Sequence, residues 1–336
     1  MAELIIDSNY YNKLDIEGFS KMMSSPSYCY KFYWLEAIVQ LISANRTEAT
    51  YDEIINKMIA NAWFPVQEYH IHLSGIYGDG DVKDNLEKAV SRLYELTQLP
   101  SNANEIQIMN KLAEFSDDKE LHSYKTELTK NVPYKTLSGF ANKGTEKINL
   151  ENSAGRMIAY YNKLSGSELL LPYTFGDDKS LKKVVKFNDG WIQMIQDNMV
   201  SILGWIKYEK VKWLQNNNPE VPGIVYKLAQ DDEKARKLDN VRKLWDAILE
   251  TRPVKNVFMD GDINRESYAV DHFIPRNFVM NDELWNLMLM DPIQNMKKNK
   301  KLPVWENYFG KFANNQFMMY EMIFEKPELL KLYKQC

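Results

Sequence analysis

The sequence has only two cysteines, Cys29 and Cys336, in 336 residues. Two cysteines so far apart build neither a disulfide framework nor a four-cysteine zinc site, and their scarcity is typical of the reducing cytoplasm. Long apolar runs are also missing, because the richest stretch, 28–42, contains Lys31 and Glu36 and a membrane-spanning helix needs about 18 or more apolar residues. The N-terminus lacks the basic start and apolar run of a signal peptide. We therefore expect a cytoplasmic protein that does not cross a membrane.

An excess of positive charge is missing as well. The chain carries 42 basic and 46 acidic residues, a net charge of −4, whereas proteins that coat nucleic acid over their whole surface are basic. The C-terminal residues 251–336 carry 12 basic and 11 acidic residues, which leaves −5 for the rest. Any nucleic-acid contact should therefore be local. The 45% hydrophobic content is ordinary for a globular chain, and the length predicts two or three domains.

Residues 1–130 are predicted to form a helical N-terminal domain. The longest apolar stripe recurs at helical spacing and consists of Phe32, Leu35, Ile38, Val39 and Ile42. Shorter helical patterns follow over 51–62, 84–97, 103–115 and 118–130. The first of these should end near Pro65, because proline interrupts a helix. The stretch 131–147 shows no clear period, so we place a domain boundary after residue 130.

Residues 131–250 are predicted to form a helical middle region. Its strongest helix begins at Asn188 or Asp189 and should end before Pro219, since proline disfavours helical geometry in the residue that precedes it. A second helix is predicted over 231–250. Short strands are predicted over 169–173 and 184–187, where β-branched and aromatic residues cluster.

Residues 251–336 have a different texture. A strand is predicted over 268–272 and an antiparallel partner over 285–289. A helix should follow at once, because Asp291 is a natural cap and Pro292 suits the first helical position. A closing helix is predicted at about 314–333. The fold class is therefore mainly α, with a small C-terminal β-loop-β-α unit.

The residues in this unit resemble the motif of the HNH endonuclease family, whose ββα-metal fold has the same order of elements. The matching residues are Asp271-His272 at the end of the first strand, then Asn286 and Asn295, which makes an H-N-N variant. The spacings of 14 and 9 residues between His272, Asn286 and Asn295, with Lys298 following, are similar to those of the HNH domain of the RNA-guided CRISPR nuclease. The helical remainder resembles bacterial HNH proteins of phage defence that have a long helical N-terminal region.

The chemistry that this resemblance implies suits each residue type. His272 would take a proton from water, since an imidazole titrates near neutral pH. Asp271 and Asn295 would offer oxygen atoms to Mg²⁺, with Mn²⁺ as a substitute. Asn286 would tie the loop backbone and keep the His272 ring pointed at the water. The implied activity is cleavage of a phosphodiester bond, with DNA as the expected substrate, in bacterial anti-phage defence or a restriction-like role.

The lysine run after Asn295 has two interpretations. Lys298 and Lys301 are candidate phosphate contacts. The same run could be a solvated helix end, because cations are favoured there, and we expect it to serve both purposes. The alternatives to a DNA nuclease are a module that binds nucleic acid or a partner protein without cutting, and a nuclease that acts on RNA.

Other motifs in the sequence are weaker evidence of function. His70-x-His72, with Asp79 and Asp81 nearby, has metal-like spacing, but an exposed edge or loop is the preferred interpretation. The glycine-containing stretch 139–145 lacks the lysine of a phosphate-binding loop. We therefore expect no ATPase in this chain. We expect residues 1–250 to contact a partner protein, for example an ATPase. The other expected contacts are a second copy of the chain or an activating trigger.

Overall fold

The computed structural model describes residues 4–24, 26, 28–74, 84–219, 221, 223–228, 238–279, 282–298 and 301–336. The chain divides into two compact units, Met1–Glu220 with Lys227–Gln230, and Val221–Tyr226 with Asp231–Cys336. This division differs from the three predicted regions. The described part of the chain contains no helix that is long and apolar enough to span a membrane.

The first unit is built mainly from helices. They are α1 (Ile16–Lys21), α2 (Tyr30–Ser43), α3 (Tyr51–Tyr69), α4 (Asn85–Thr97), α5 (Glu105–Glu114), α6 (Lys119–Thr129), α7 (Val132–Lys135), α8 (Ala154–Ser167), α9 (Asp189–Asp197) and α10 (Met199–Asn217). Helix α2 lies in the core and packs against α3 and α10. The whole apolar stripe predicted for α2 is buried, which confirms the helical period.

A small antiparallel sheet completes the first unit. It consists of β1 (Glu48–Thr50), β2 (Tyr173–Phe175) and β3 (Val184–Phe187), in the order β1-β3-β2. Strand β3 has the predicted bounds, whereas the strand predicted over 169–173 overlaps β2 only at its last residue. Strand β1 was not predicted. Because β1 pairs with β3, the sheet joins the predicted N-terminal and middle regions, and the two belong to one unit.

Two helix boundaries differ from the prediction for local reasons. Helix α3 continues through Pro65 and ends at Tyr69, followed by His70 in the left-handed conformation with φ 52°. Proline removes one helical hydrogen bond, yet the helix continues through Pro65, which is buried in the core. The long helix predicted from residue 188 breaks at Asn198, whose Nδ2 donates to Met194 O at 2.9 Å. This side-chain bond to the backbone competes with the regular helix.

The second unit contains the predicted ββα arrangement. Its elements are α11 (Asp239–Thr251), β4 (Ala269–His272), α12 (Arg276–Val279), β5 (Leu287–Met290), α13 (Pro292–Lys298), α14 (Trp305–Glu325) and α15 (Pro327–Tyr333). Strands β4 and β5 are antiparallel, and His272 lies opposite Leu287. The predicted closing helix is two helices, because Pro327 starts a new one. The mainly α fold class with a C-terminal ββα module is confirmed.

Helix α11 belongs to the core of the second unit. Its buried residues Val241, Leu244, Trp245 and Ile248 join one cluster with Val270, Leu287 and Leu289 of the two strands. A second cluster centres on Phe273, whose ring stacks on Phe312 of α14 with centroids 4.2 Å apart. A boundary at residue 250 would therefore cut through a hydrophobic core.

This core leads to a prediction about fragments. A fragment of residues 221–336 should unfold cooperatively on heating, whereas residues 251–336 alone should not. The shorter fragment loses four buried apolar side chains of α11, each worth about 1.5–3 kcal/mol when buried, against a total domain stability of about 5–15 kcal/mol. Circular dichroism melts of both fragments, with the full chain as the control, test this. A cooperative melt of residues 251–336 would contradict it.

Candidate active site

The site begins at the end of β4, where successive side chains point to opposite faces of the sheet. The His272 side chain is almost fully buried, at 1% exposure, and that of Asp271 is 17% exposed. Just beyond the strand, Phe273 N donates to Asn286 O at 2.8 Å. The acid and the imidazole thus leave the same short strand in different directions.

Asn286 fixes the loop that follows His272. It ends a short 3₁₀ turn, Leu284–Asn286, directly before β5, rather than lying on the strand as predicted. Its Oδ1 accepts from Ile274 N at 2.8 Å, and its Nδ2 donates to Ile274 O at 2.8 Å. The residue is completely buried, so the paired bonds are shielded from water. This is the backbone contact that the resemblance implied for Asn286.

The His272 ring is held between two carboxylates. Its Nε2 lies 2.9 Å from Asp282 Oδ1, and its Nδ1 lies 3.8 Å from Asp271 Oδ1. A carboxylate oxygen accepts a hydrogen bond, and only the Asp282 contact is short enough for one, so this contact favours the hydrogen on Nε2 and the lone pair on Nδ1. The ring then presents its basic nitrogen on the side of Asp271.

The sequence analysis missed Asp282. It lies in the polar loop between the two strands, where no periodicity or capping pattern applies. Its acidic character, ten residues after His272, was the one available signal. That signal is weak, because loop acids are usually solvated.

Lys298 pairs with Asp271 inside the module. Its Nζ lies 2.8 Å from Asp271 Oδ2, and its side chain is only 5% exposed. Burial opposes ionisation of Asp271, but the Lys298 ammonium stabilises the carboxylate, and the pKa of Asp271 is lowered to about 2. The expectation of a solvated helix end is wrong for Lys298, because the buried carboxylate draws its ammonium inward. Lys301 is exposed, and Lys300 lies outside the described residues.

Helix α13 brings Asn295 to the same side as Lys298. Asp291 caps the helix as predicted, since its Oδ1 accepts from Ile293 N at 2.8 Å and Gln294 N at 3.1 Å. Residues three apart share a helix face. Asn295 therefore lies on the face from which Lys298 reaches Asp271, and it is half-buried there.

The donor set fits a hard divalent cation in a sparse shell. Asp271 is ionised near neutral pH because its pKa is so low, and Asn295 supplies an amide oxygen. No group of three or more His, Cys, Asp or Glu residues that could hold a metal occurs within the described ranges, so a cage made only of ionisable side chains is absent there. Mg²⁺ characteristically takes one or two protein oxygens and keeps several waters. Asp271 and Asn295 would supply two such protein oxygens.

The other candidate metal motif, His70-x-His72, lies in the first unit, where His72 is hydrogen-bonded to protein groups. His72 Nδ1 lies 3.1 Å from Glu87 Oε1, and Asn218 Oδ1 accepts from His72 N at 2.9 Å. Asp79 and Asp81 lie outside the described residues. The His72 imidazole is thus held by a buried carboxylate, which accounts for it without a metal.

Comparison with known families gives one match. Residues 257–304 match a family described as HNH endonuclease, and this range contains both strands of the module and α13. No curated protein and no solved structure matches the chain. The match indicates a nuclease domain, and HNH nucleases generally use divalent metal ions. The predicted HNH resemblance is confirmed at this level.

Proposed function

We propose that this protein is a metal-dependent endonuclease that hydrolyses phosphodiester bonds of DNA. The observation that carries the proposal is the arrangement at the end of β4. There a buried imidazole is oriented by Asp282, and an ionised Asp271 is held by Lys298. This arrangement lies within the residues that match the HNH family.

The roles of the chain's own residues follow from this geometry. His272 takes a proton from the attacking water through Nδ1, while Asp282 holds the ring at Nε2. Asn286 keeps the loop after His272 in place through Ile274. Asp271 and Asn295 would hold Mg²⁺, or Mn²⁺ as a substitute. The bound cation would supply stabilisation of the charge on the phosphate and on the leaving oxygen.

The two lysines have different proposed roles. Lys298 keeps Asp271 ionised and in place, because it supplies a buried counter-charge at 2.8 Å. Lys301, exposed just after α13, is free to reach a phosphate from the surface. Lys298 also places a positive charge next to Asp271. This charge favours the approach of a phosphate group to the proposed site.

The role of Asp282 gives a prediction. Asp282→Asn should lower kcat by about 10- to 100-fold with little change in KM, because a lost partner of a catalytic histidine disturbs its tautomer and orientation. Asp282→Glu should retain part of the activity. The neighbouring exposed Glu283 offers the matched control, and Glu283→Gln should cleave at the wild-type rate. An unchanged kcat in Asp282→Asn would show that Asp282 does not orient His272 for catalysis.

The decisive experiment is plasmid nicking by the full chain. We expect cleavage with Mg²⁺ or Mn²⁺, none with excess EDTA, and recovery when the metal is restored. Parallel reactions with structured and single-stranded RNA separate the DNA assignment from the RNA alternative. Metal-independent binding of DNA without cleavage would support the alternative of a non-cleaving module and contradict the proposal.

The biological setting is also a proposal. We infer a role in bacterial anti-phage defence or restriction, in which residues 1–250 set when or where the nuclease acts. This large region carries a net charge of −5, which disfavours DNA contact along most of its surface. It therefore suits contact with a partner protein such as an ATPase, or with a second copy of the chain.

A further inference from the structure

A cavity in the first unit lies far in sequence from the nuclease motif. Its volume is about 710 Å³, and its walls come from α2, α4, α6 and α7. Sites for small organic ligands typically enclose about 300–1,000 Å³. The cavity therefore has room for a ligand of nucleotide size.

Three lysines line this cavity, namely Lys31, Lys88 and Lys135. The half-buried Lys31 donates to two uncharged oxygens, Ser138 Oγ at 2.9 Å and Ser24 O at 3.2 Å. Burial, and to a smaller extent the positive charge of Lys135, together lower the pKa of Lys31 to about 8. Two ammonium groups are thus brought together at one cavity, which costs free energy unless an anion joins them.

Two acidic residues of the wall, Glu127 and Glu151, compensate these lysines only weakly. Glu127 pairs with Lys130, which is not among the lining residues. Glu151 is 80% exposed, and its Oε2 lies 3.8 Å from Lys135 Nζ, at the outer limit of an ion pair. Exposed pairs of this kind contribute little, so an anionic ligand could displace Glu151 at low cost.

An aromatic platform lies beside the lysines. The rings of Tyr28 and Tyr30 stack with centroids 5.3 Å apart and an angle of 21° between their planes, and both residues line the cavity. Tyr28 is 45% exposed. Its ring therefore offers surface on which a flat ligand group can stack.

A carboxyl group in the same wall has unused hydrogen-bonding capacity. Asp84 Oδ1 accepts from Glu87 N at 2.8 Å. Its Oδ2 is buried and has no hydrogen-bond partner among the described residues. Burial raises the pKa of Asp84 to about 7. Such a group is expensive to leave unpaired, and Asp84 is one of the residues that line the cavity.

We propose that this cavity binds a nucleoside phosphate, with the phosphate between Lys31 and Lys135 and the base on Tyr28. Asp84 then exchanges a hydrogen bond with a ribose hydroxyl or a group on the base edge. Cations for a phosphate and an aromatic face for a base occur together here, which favours this ligand over a simple anion or an apolar molecule. The ligand could be a free nucleotide or the 5′-phosphorylated end of a strand.

The test measures binding to the full chain by isothermal titration calorimetry. The probes are AMP, GMP, CMP and UMP, with adenosine, inorganic phosphate and a short 5′-phosphorylated oligodeoxynucleotide as comparisons. We expect saturable binding of at least one nucleotide, and affinities at least about tenfold lower for adenosine and phosphate, because each keeps only half of the contacts. Tighter binding of the oligonucleotide than of any mononucleotide would assign the site to a strand end.

Variants tie the binding to the cavity. Lys31→Gln and Tyr28→Ala should each weaken the best nucleotide by at least about tenfold. Lys135→Gln removes the second proposed phosphate contact, and it keeps the test decisive if Lys31→Gln unfolds. Lys207→Gln, at an exposed position on α10 outside the lining, is the control and should bind normally. Absence of saturable binding by all probes, equal affinity for phosphate and nucleotide, or unchanged affinity in folded Lys31→Gln and Lys135→Gln would each overturn the proposal.

Discussion

His272→Ala should abolish cleavage of plasmid DNA while the rest of the chain remains folded. A positioned general base contributes about 10²- to 10⁴-fold to such a reaction, and imidazole is the side chain that most often serves as that base. The ring is buried and meets Asp282, so some loss of stability is also expected. His272→Gln, which fills more of the same volume, separates the two effects: it should fold better than His272→Ala and be equally inactive.

The matched control for this prediction is His122→Ala. His122 is an exposed histidine on α6, so its removal should change neither the melting temperature nor the rate. Single-turnover cleavage with saturating Mg²⁺ is the appropriate measurement, because it reports the chemical step. Wild-type rates in His272→Ala would exclude this residue from the mechanism.

The placement of the predicted site residues near one another could be anticipated, because these residues are close in sequence. Asp271, His272, Asn286 and Asn295 fall within 25 residues of one another, and strand pairing with a capped helix brings such a segment together by local rules. Asp282 and the inward turn of Lys298 were not predictable in this way. Both depend on which buried charge needs a partner, and sequence spacing does not record burial.

The fold shows the same limit at larger scale. Helical periodicity predicted α2, and the Asp291 cap predicted the start of α13, because these signals lie within one element. Strand β1 has only three residues and gains its partner β3 from more than a hundred residues away. Likewise, the amphipathic stripe of α11 showed a buried face, but it did not show that this face packs against the strands of the ββα module.

The Asp271–Lys298 pair allows stability and metal binding to be separated. Asp271→Asn should destabilise the second unit by about 3–5 kcal/mol, because it leaves the buried Lys298 ammonium without its counter-charge. Lys298→Met should have a similar cost, since it leaves the Asp271 carboxylate unpaired. The double variant Asp271→Asn/Lys298→Met should recover most of that stability, because neither buried charge remains. Thermal melts of the four proteins measure the coupling.

Metal binding should follow a different pattern in the same proteins. The double variant lacks the Asp271 carboxylate, so its Mg²⁺ affinity and cleavage should stay low although it folds well, and Asn295→Ala should also weaken Mg²⁺ binding. The exposed pair Lys255–Asp262, with Nζ and Oδ1 2.7 Å apart, is the matched control. Its Lys255→Met and Asp262→Asn variants should shift stability by less than about 1 kcal/mol and leave metal affinity unchanged. If calorimetry gave wild-type Mg²⁺ affinity for the folded double variant, Asp271 would be a purely structural partner of Lys298, and the metal would have to bind elsewhere.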